Sequence, residues 1–118
     1  LIEERQCFVL ARSQFVAAFH CALNLEKSVA LCLQPPGGGT LAQVMRKQNL
    51  FGNVDVAKFC CASIGLALEH LHNLRIAHRE LTPDVFMLDH NGYLKIIDMF
   101  CAKVIVTKTY SLCGAQGY

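Results

Sequence analysis

The sequence predicts an α+β fold in which two β-hairpins flank a pair of helices. Three observations carry that prediction. Two apolar runs, at 15–23 and 28–33, close around the polar turn Asn24-Leu25-Glu26-Lys27. A second pair, at 85–88 and 93–97, closes around Asp89-His90-Asn91-Gly92, and Asn-Gly is a strong hairpin signal. Between the hairpins lie two stretches with helical spacing, each preceded by a residue able to cap it.

Taken in order, residues 3–10 read as the end of a helix. The first hairpin follows. Pro35-Pro36-Gly37-Gly38-Gly39 then breaks regular structure and reads as a linker or hinge. Thr40 caps a short helix carrying Leu41, Val44 and Met45 at spacings of three and four. Asn53 caps a longer helix over about 54–73. Val56, Phe59, Cys60, Ser63, Ile64, Ala67 and Leu71 line one side of it, and Ala57, Cys61 and Leu68 make much of the rest apolar. A helix apolar around most of its circumference sits inside a larger structure. The second hairpin comes next, and residues 101–118 have no period and read as a loop.

Composition narrows the function classes. The chain has 118 residues, enough for one small domain. It is 53% hydrophobic and only 17% charged, against roughly 25% charged in a typical soluble domain. A fragment whose missing half covers the excess apolar surface accounts for that balance better than an ordinary domain does. A net charge of +2 points to neither nucleic acid nor a membrane surface as partner. The longest apolar run, within 59–68, is interrupted by Ser63 and Gly65 and is too short to span a bilayer. Seven cysteines, an odd number without a C-x-x-C pair, and a start without a signal peptide fit reduced thiols in a cytoplasmic setting.

The chemistry-bearing residues form an ordered series. His78-Arg79-Glu80-Leu81-Thr82-Pro83-Asp84-Val85 precedes the second hairpin, which ends in Ile97-Asp98-Met99-Phe100. Cys113-Gly114-Ala115-Gln116-Gly117-Tyr118 follows. This order resembles the protein-kinase series of H-R-D-L-K-P-E-N, D-F-G and G-T-P-E-Y. Leu88-Asp89-His90-Asn91-Gly92-Tyr93, Leu68-Glu69-His70-Leu71-His72 and Lys108-Thr109-Tyr110-Ser111-Leu112-Cys113-Gly114 are similar to the cyclic-nucleotide-dependent serine/threonine kinases. The resemblance covers nearly the whole chain. It implies a partial kinase fold: 1–34 from the small lobe, 35–39 as hinge, and 40–118 from the start of the large lobe through the activation segment. It also places the Gly-rich loop and strand Lys before Leu1, and the substrate-docking lobe after Tyr118. Glu4 matches the helix Glu that pairs with that Lys.

Carried over residue by residue, the resemblance implies losses at charge-handling positions. Glu80 stands where the catalytic Asp positions the substrate hydroxyl and takes its proton. Its extra methylene misplaces the carboxylate, and misplacement on that scale costs about a hundredfold. Thr82 replaces a Lys that balances charge on the transferring phosphate. Val85 replaces an Asn that holds Mg²⁺, and valine cannot ligate a hard cation. Asp98 matches the Asp that binds the other Mg²⁺ and is unchanged. Phe100 replaces a glycine and removes backbone freedom. Thr40 replaces a Glu that binds ribose and a basic substrate side chain, and Asp84 keeps an acid where the group has another. Ala115 replaces a Thr that bonds the catalytic loop, and Gln116 and Gly117 replace Pro-Glu.

Packing positions are retained. Phe8, Phe19, His78 and Met99 match the apolar spine linking the lobes. Leu33 and Gln34 match the gatekeeper and first hinge residue, and Leu41 and Met87 match positions below the adenine. Ser111 matches the activation-loop phosphosite, with Arg79 and Lys103 as its basic partners.

Bland readings apply elsewhere. His78 reads as a packing residue. Cys60 and Cys61 point about 100° apart on a helix, so with His70 and His72 they read as buried thiols and not as a metal site. Gly37-Gly38-Gly39 lacks the context of a phosphate loop.

Three functions are compatible with these residues. The first is a catalytically impaired kinase-like domain that binds protein partners through its surface. The second is an ATP- and Mg²⁺-dependent serine/threonine kinase using Glu80 as surrogate base and Asp98 as Mg²⁺ ligand. The third is a non-functional truncated copy whose exposed apolar surface favours aggregation.

Overall fold

A computed structural model describes residues 2–117 and contains three helices and seven short strands. The fold is α+β, as expected. Helix α1 (Ile2–Leu10) buries Cys7 and Phe8 on one side. The first hairpin pairs β1 (Phe19–Asn24) with β2 (Val29–Leu33), antiparallel and with a register shift between Phe19 and Cys21. The strand is shorter than the sequence predicts. Phe15 and Val16 instead run beside the second hairpin, where the Phe15 carbonyl accepts from Ile96 N–H at 2.9 Å and Val16 bridges Ile96.

The expected break at 35–39 is only partly present. Gly37–Thr40 forms strand β3, which pairs with β5 (Phe86–Asp89). Glycine is required for that approach: a Cβ on Gly38 would lie 2.6 Å from the Leu88 carbonyl oxygen. Strand β6 (Leu94–Ile96) completes a sheet of order β3-β5-β6. Four residues, 90–93, make the turn between β5 and β6, with Gly92 in the left-handed region at φ 86°. Asp89 braces it by accepting from Asn91 N–H at 2.9 Å and Tyr93 N–H at 3.0 Å. The Tyr93 and Asn91 amides, with the Tyr93 bond the stronger influence, hold the Asp89 carboxyl below its usual range.

Both caps form. Thr40 Oγ1 accepts from Gln43 N–H at the start of α2 (Leu41–Lys47), and Gln43 Oε1 accepts from Thr40 N–H, a capping box. Asn53 Oδ1 accepts from the amides of Asp55 and Val56 at the start of α3 (Val54–Asn73). Ala67 and Leu71 of α3 are buried and Cys60 and Ile64 pack on the core, but Phe59 and Leu66 are 47% and 53% exposed. Cys61 is exposed as well, which corrects its reading as a buried thiol. The physical reason is rotation: Cys61 sits one step around the helix from the Cys60 side that meets the core.

The stretch 101–117 is not wholly loop. Strand β7 (Lys103–Val104) pairs with β4 (Ile76–Ala77), Ile76 opposite Val104. Ile105 N–H also donates to the Arg75 carbonyl at 2.7 Å, from a left-handed Arg75 at φ 59°. One core joins all of this: Cys7, Phe8, Val16, Leu41, Leu71, Ile76, Val85, Phe86, Leu94, Ile96 and Met99 lie at its centre.

Candidate functional site

The tight turn of the second hairpin returns the chain so that Ile97 N–H donates to the Val85 carbonyl at 2.9 Å. That bond sets the segment 78–85 beside the segment 97–100. Asp98 and Met99, adjacent in sequence, then face different surroundings. Met99 is fully buried. Asp98 lines a cavity of about 490 Å³ with Glu4, Asp84, Leu31, Leu33 and Phe100 among its walls.

Three of those lining residues are acids, and none is a cation. The effect is visible on Glu4, whose carboxyl is pushed up from its ordinary value, first by burial and then by the Asp98 charge. Asp98 Oδ1 already accepts from Phe100 N–H at 2.7 Å. Phe100 itself is 68% exposed and carries no left-handed φ, so at this position the bulky residue imposes no backbone strain. No three acid, thiol or imidazole groups among the described residues converge to hold a metal ion.

His78 packs under this floor, 3% exposed. Its Nε2–H donates to the Asp98 carbonyl at 2.9 Å, and Nδ1 faces Glu80 N–H at 3.4 Å. That pattern fits a neutral ring, and burial pushes the imidazole below its ordinary value. Phe8, His78 and Met99 are all buried, and Phe19 packs against the same core from β1.

Glu80 does not line the Asp98 cavity. Glu80 is the largest influence on the Cys101 thiol, raising it to about 11. Thr82 and Val85 are buried, Val85 within the core. Thr40 spends its hydroxyl on the helix cap, and its backbone pairs with Met87. Leu41 is buried in the core and also borders a cavity between α2 and α3. Gln34 borders another, and its N–H donates to the Ala18 carbonyl at 2.8 Å. Of the residues expected below and behind a nucleotide, Leu33 shares the Asp98 cavity.

Arg79 adopts a left-handed φ of 68°. Its Nε–H donates to the Cys101 carbonyl at 2.8 Å, and one terminal N–H donates to Thr109 Oγ1 at 3.1 Å. Ser111, the residue expected beside it, is exposed. Lys103 lies 3.7 Å from Glu3 in an exposed ion pair. Gly114 sits close to the same loop, where a Cβ would lie 3.1 Å from the Arg79 carbonyl oxygen. Ala115, Gln116 and Gly117 follow it, while Tyr118 lies outside the described residues. The partners Cys101 and Thr109 carry no signal in sequence, since a cysteine after a strand and a threonine in a loop are both common.

The protein kinase domain model matches residues 1–118. The chain belongs to the protein kinase family. It is 35% identical over 116 residues to the cAMP-dependent protein kinase type 3 of Saccharomyces cerevisiae, covering 98% of this chain and 29% of that protein. Ribosomal protein S6 kinase alpha-6 of Danio rerio is 36% identical over 118 residues, covering 98% of this chain and 16% of that protein. The cAMP-dependent protein kinase catalytic subunit of Arthrobotrys oligospora is 34% identical over 116 residues, again 98% of this chain and 22% of that protein. The chain therefore spans less than a third of each of these kinases. No helix among the described residues is long and apolar enough to cross a membrane.

Proposed function

We propose that this kinase-family chain is catalytically impaired and acts by binding protein partners through its kinase-like surface, in the cytoplasm, without engaging nucleic acid or membrane. The lobe division at 1–34, 35–39 and 40–118 is part of the same reading. One observation carries it: Val85, at a position the resemblance gives to a Mg²⁺ ligand, is buried hydrocarbon, and Glu80, at that of the base, does not line the Asp98 cavity.

Kinase chemistry is almost entirely positioning and charge stabilisation. A family-type Mg²⁺–ATP site does not fit the donors present at these positions. Asp98 is the one family Mg²⁺ position that keeps a ligand, while the Val85 position offers only buried hydrocarbon. At the position of the base, Glu80 does not line the cavity. No step of phosphoryl transfer follows from these side chains.

Thermal unfolding with and without Mg²⁺ and ATP tests the proposal. The expected result is no Mg²⁺-dependent rise in Tm with ATP at millimolar concentration. Ligand at a hundred times its Kd stabilises by about 2.7 kcal/mol, so binding in the micromolar range is readily seen. A clear Mg²⁺-dependent shift, together with phosphate transfer to a basic serine peptide that Asp98→Ala abolishes, overturns it in favour of a working kinase.

A further inference from the structure

Two cysteines outside the Asp98 cavity face each other across the first hairpin. Cys21 on β1 is the direct register partner of Cys32 on β2. Opposed residues of an antiparallel pair have Cα atoms about 4.5–5.5 Å apart and side chains on the same face. A disulfide spans Cα separations of about 4.4–6.8 Å, so the hairpin already holds these two residues within bonding reach. Cys21 is exposed and Cys32 half-buried, so a small oxidant has access to the pair.

We propose that Cys21 and Cys32 form a reversible cross-strand disulfide, a modification site for dithiol oxidants of the low-molecular-weight disulfide class. The neighbouring Cys21 thiol is the main influence that raises the Cys32 thiol above its ordinary value. The remaining cysteines are placed differently. Cys7 is fully buried in the core, and Cys60 and Cys61 are neighbours on one helix whose side chains diverge. Cys101 is buried, and Cys113 is exposed in the stretch that follows it.

The reaction balances as two thiol–disulfide exchanges. One cysteine, as thiolate, attacks a sulfur of oxidised glutathione. A mixed disulfide forms and one glutathione thiol leaves. The opposing cysteine then attacks the protein sulfur of that mixed disulfide and releases the second glutathione thiol. Two protein thiols are oxidised to one S–S bond, one glutathione disulfide is reduced to two thiols, and the two protons end on glutathione. The new bond lies one residue before Leu33, so it ties β1 to the strand end that enters the Asp98 cavity.

The test incubates the full chain with oxidised glutathione and reads intact mass and a non-reducing peptide map. The expected product has lost two hydrogens, carries no retained glutathione, and yields a linked Cys21–Cys32 peptide that dithiothreitol separates. Cys21→Ser then accumulates a stable glutathione adduct on Cys32, because no opposing thiol resolves it. Urea applied before oxidation abolishes the preference for this pair, which ties it to the folded hairpin. A map whose links are Cys101–Cys113 or between chains overturns the proposal. So does a persistent glutathione adduct on the wild-type pair.

Discussion

Met99 and Asp98 stand one residue apart, and the two regions they belong to have fared differently. Around Met99 the interior is closed: Phe8, His78, Ile96 and Leu71 are at most 3% exposed, and His78 has a partner on each ring nitrogen. Around Asp98 the cavity gathers like charges, Glu80 stands outside it, and Arg79 donates to a threonine. Packing is enforced by every neighbour of a side chain at once. A catalytic charge is enforced only by the ligand it handles. The comparison teaches that packing positions and charge-bearing positions answer to different constraints.

The sharpest way to break the comparison is through the closed region. Phe8→Ala removes a large ring from the centre of the core and is expected to cost about 3–5 kcal/mol, read as a fall in the urea midpoint or loss of the folded chain. A small effect there means that the interior is not the stabilising unit. Next in size is Val85→Asn, which puts the residue that the resemblance implies there at a position 5% exposed. Burying that amide without a partner is expected to cost about 1–3 kcal/mol in the same measurement. An unchanged midpoint means that this position opens to the cavity and still has room for chemistry.

The smallest effect concerns Glu4. Its folded carboxyl holds a proton more tightly than the usual value of 4.5, so protonation favours the folded state. That contribution is present below the unfolded value and is lost as pH rises through the raised folded value. Glu4→Gln is therefore expected to stabilise the chain at neutral pH by less than about 1 kcal/mol, since the partly exposed group is screened by solvent. Below the unfolded value the gain disappears. Urea midpoints at the two pH values check it, and an equal gain at both removes the electrostatic account of the cavity.

How far the sequence spoke depended on the range over which each residue acts. Thr40 and Asn53 cap helices through bonds to the next few residues, and both were legible because capping is local. The α+β class and the second hairpin were legible for the same reason. Strands β4 and β7 were not, because two residues carry no alternation and their pairing joins Ile76 to Val104 across the chain. The resemblance placed Phe8, His78 and Met99 among packing residues, where the structure buries them. It gave no hint that Thr109 would accept from Arg79, because that bond joins residues 30 positions apart in a stretch without a pattern.

The glycine run at 37–39 shows the same economy on the backbone. A Cβ at Gly38 meets a carbonyl that is part of the sheet itself, whereas one at Gly39 meets first the far end of the Gln43 side chain, 3.2 Å away. In a library that randomises the run, Gly38 is thus the position where every side chain pushes β3 off β5, and Gly39 is the one with room to drift. Three identical letters therefore carry unequal constraints: Gly37 through its left-handed φ of 102°, Gly38 through a carbonyl and Gly39 through a side chain.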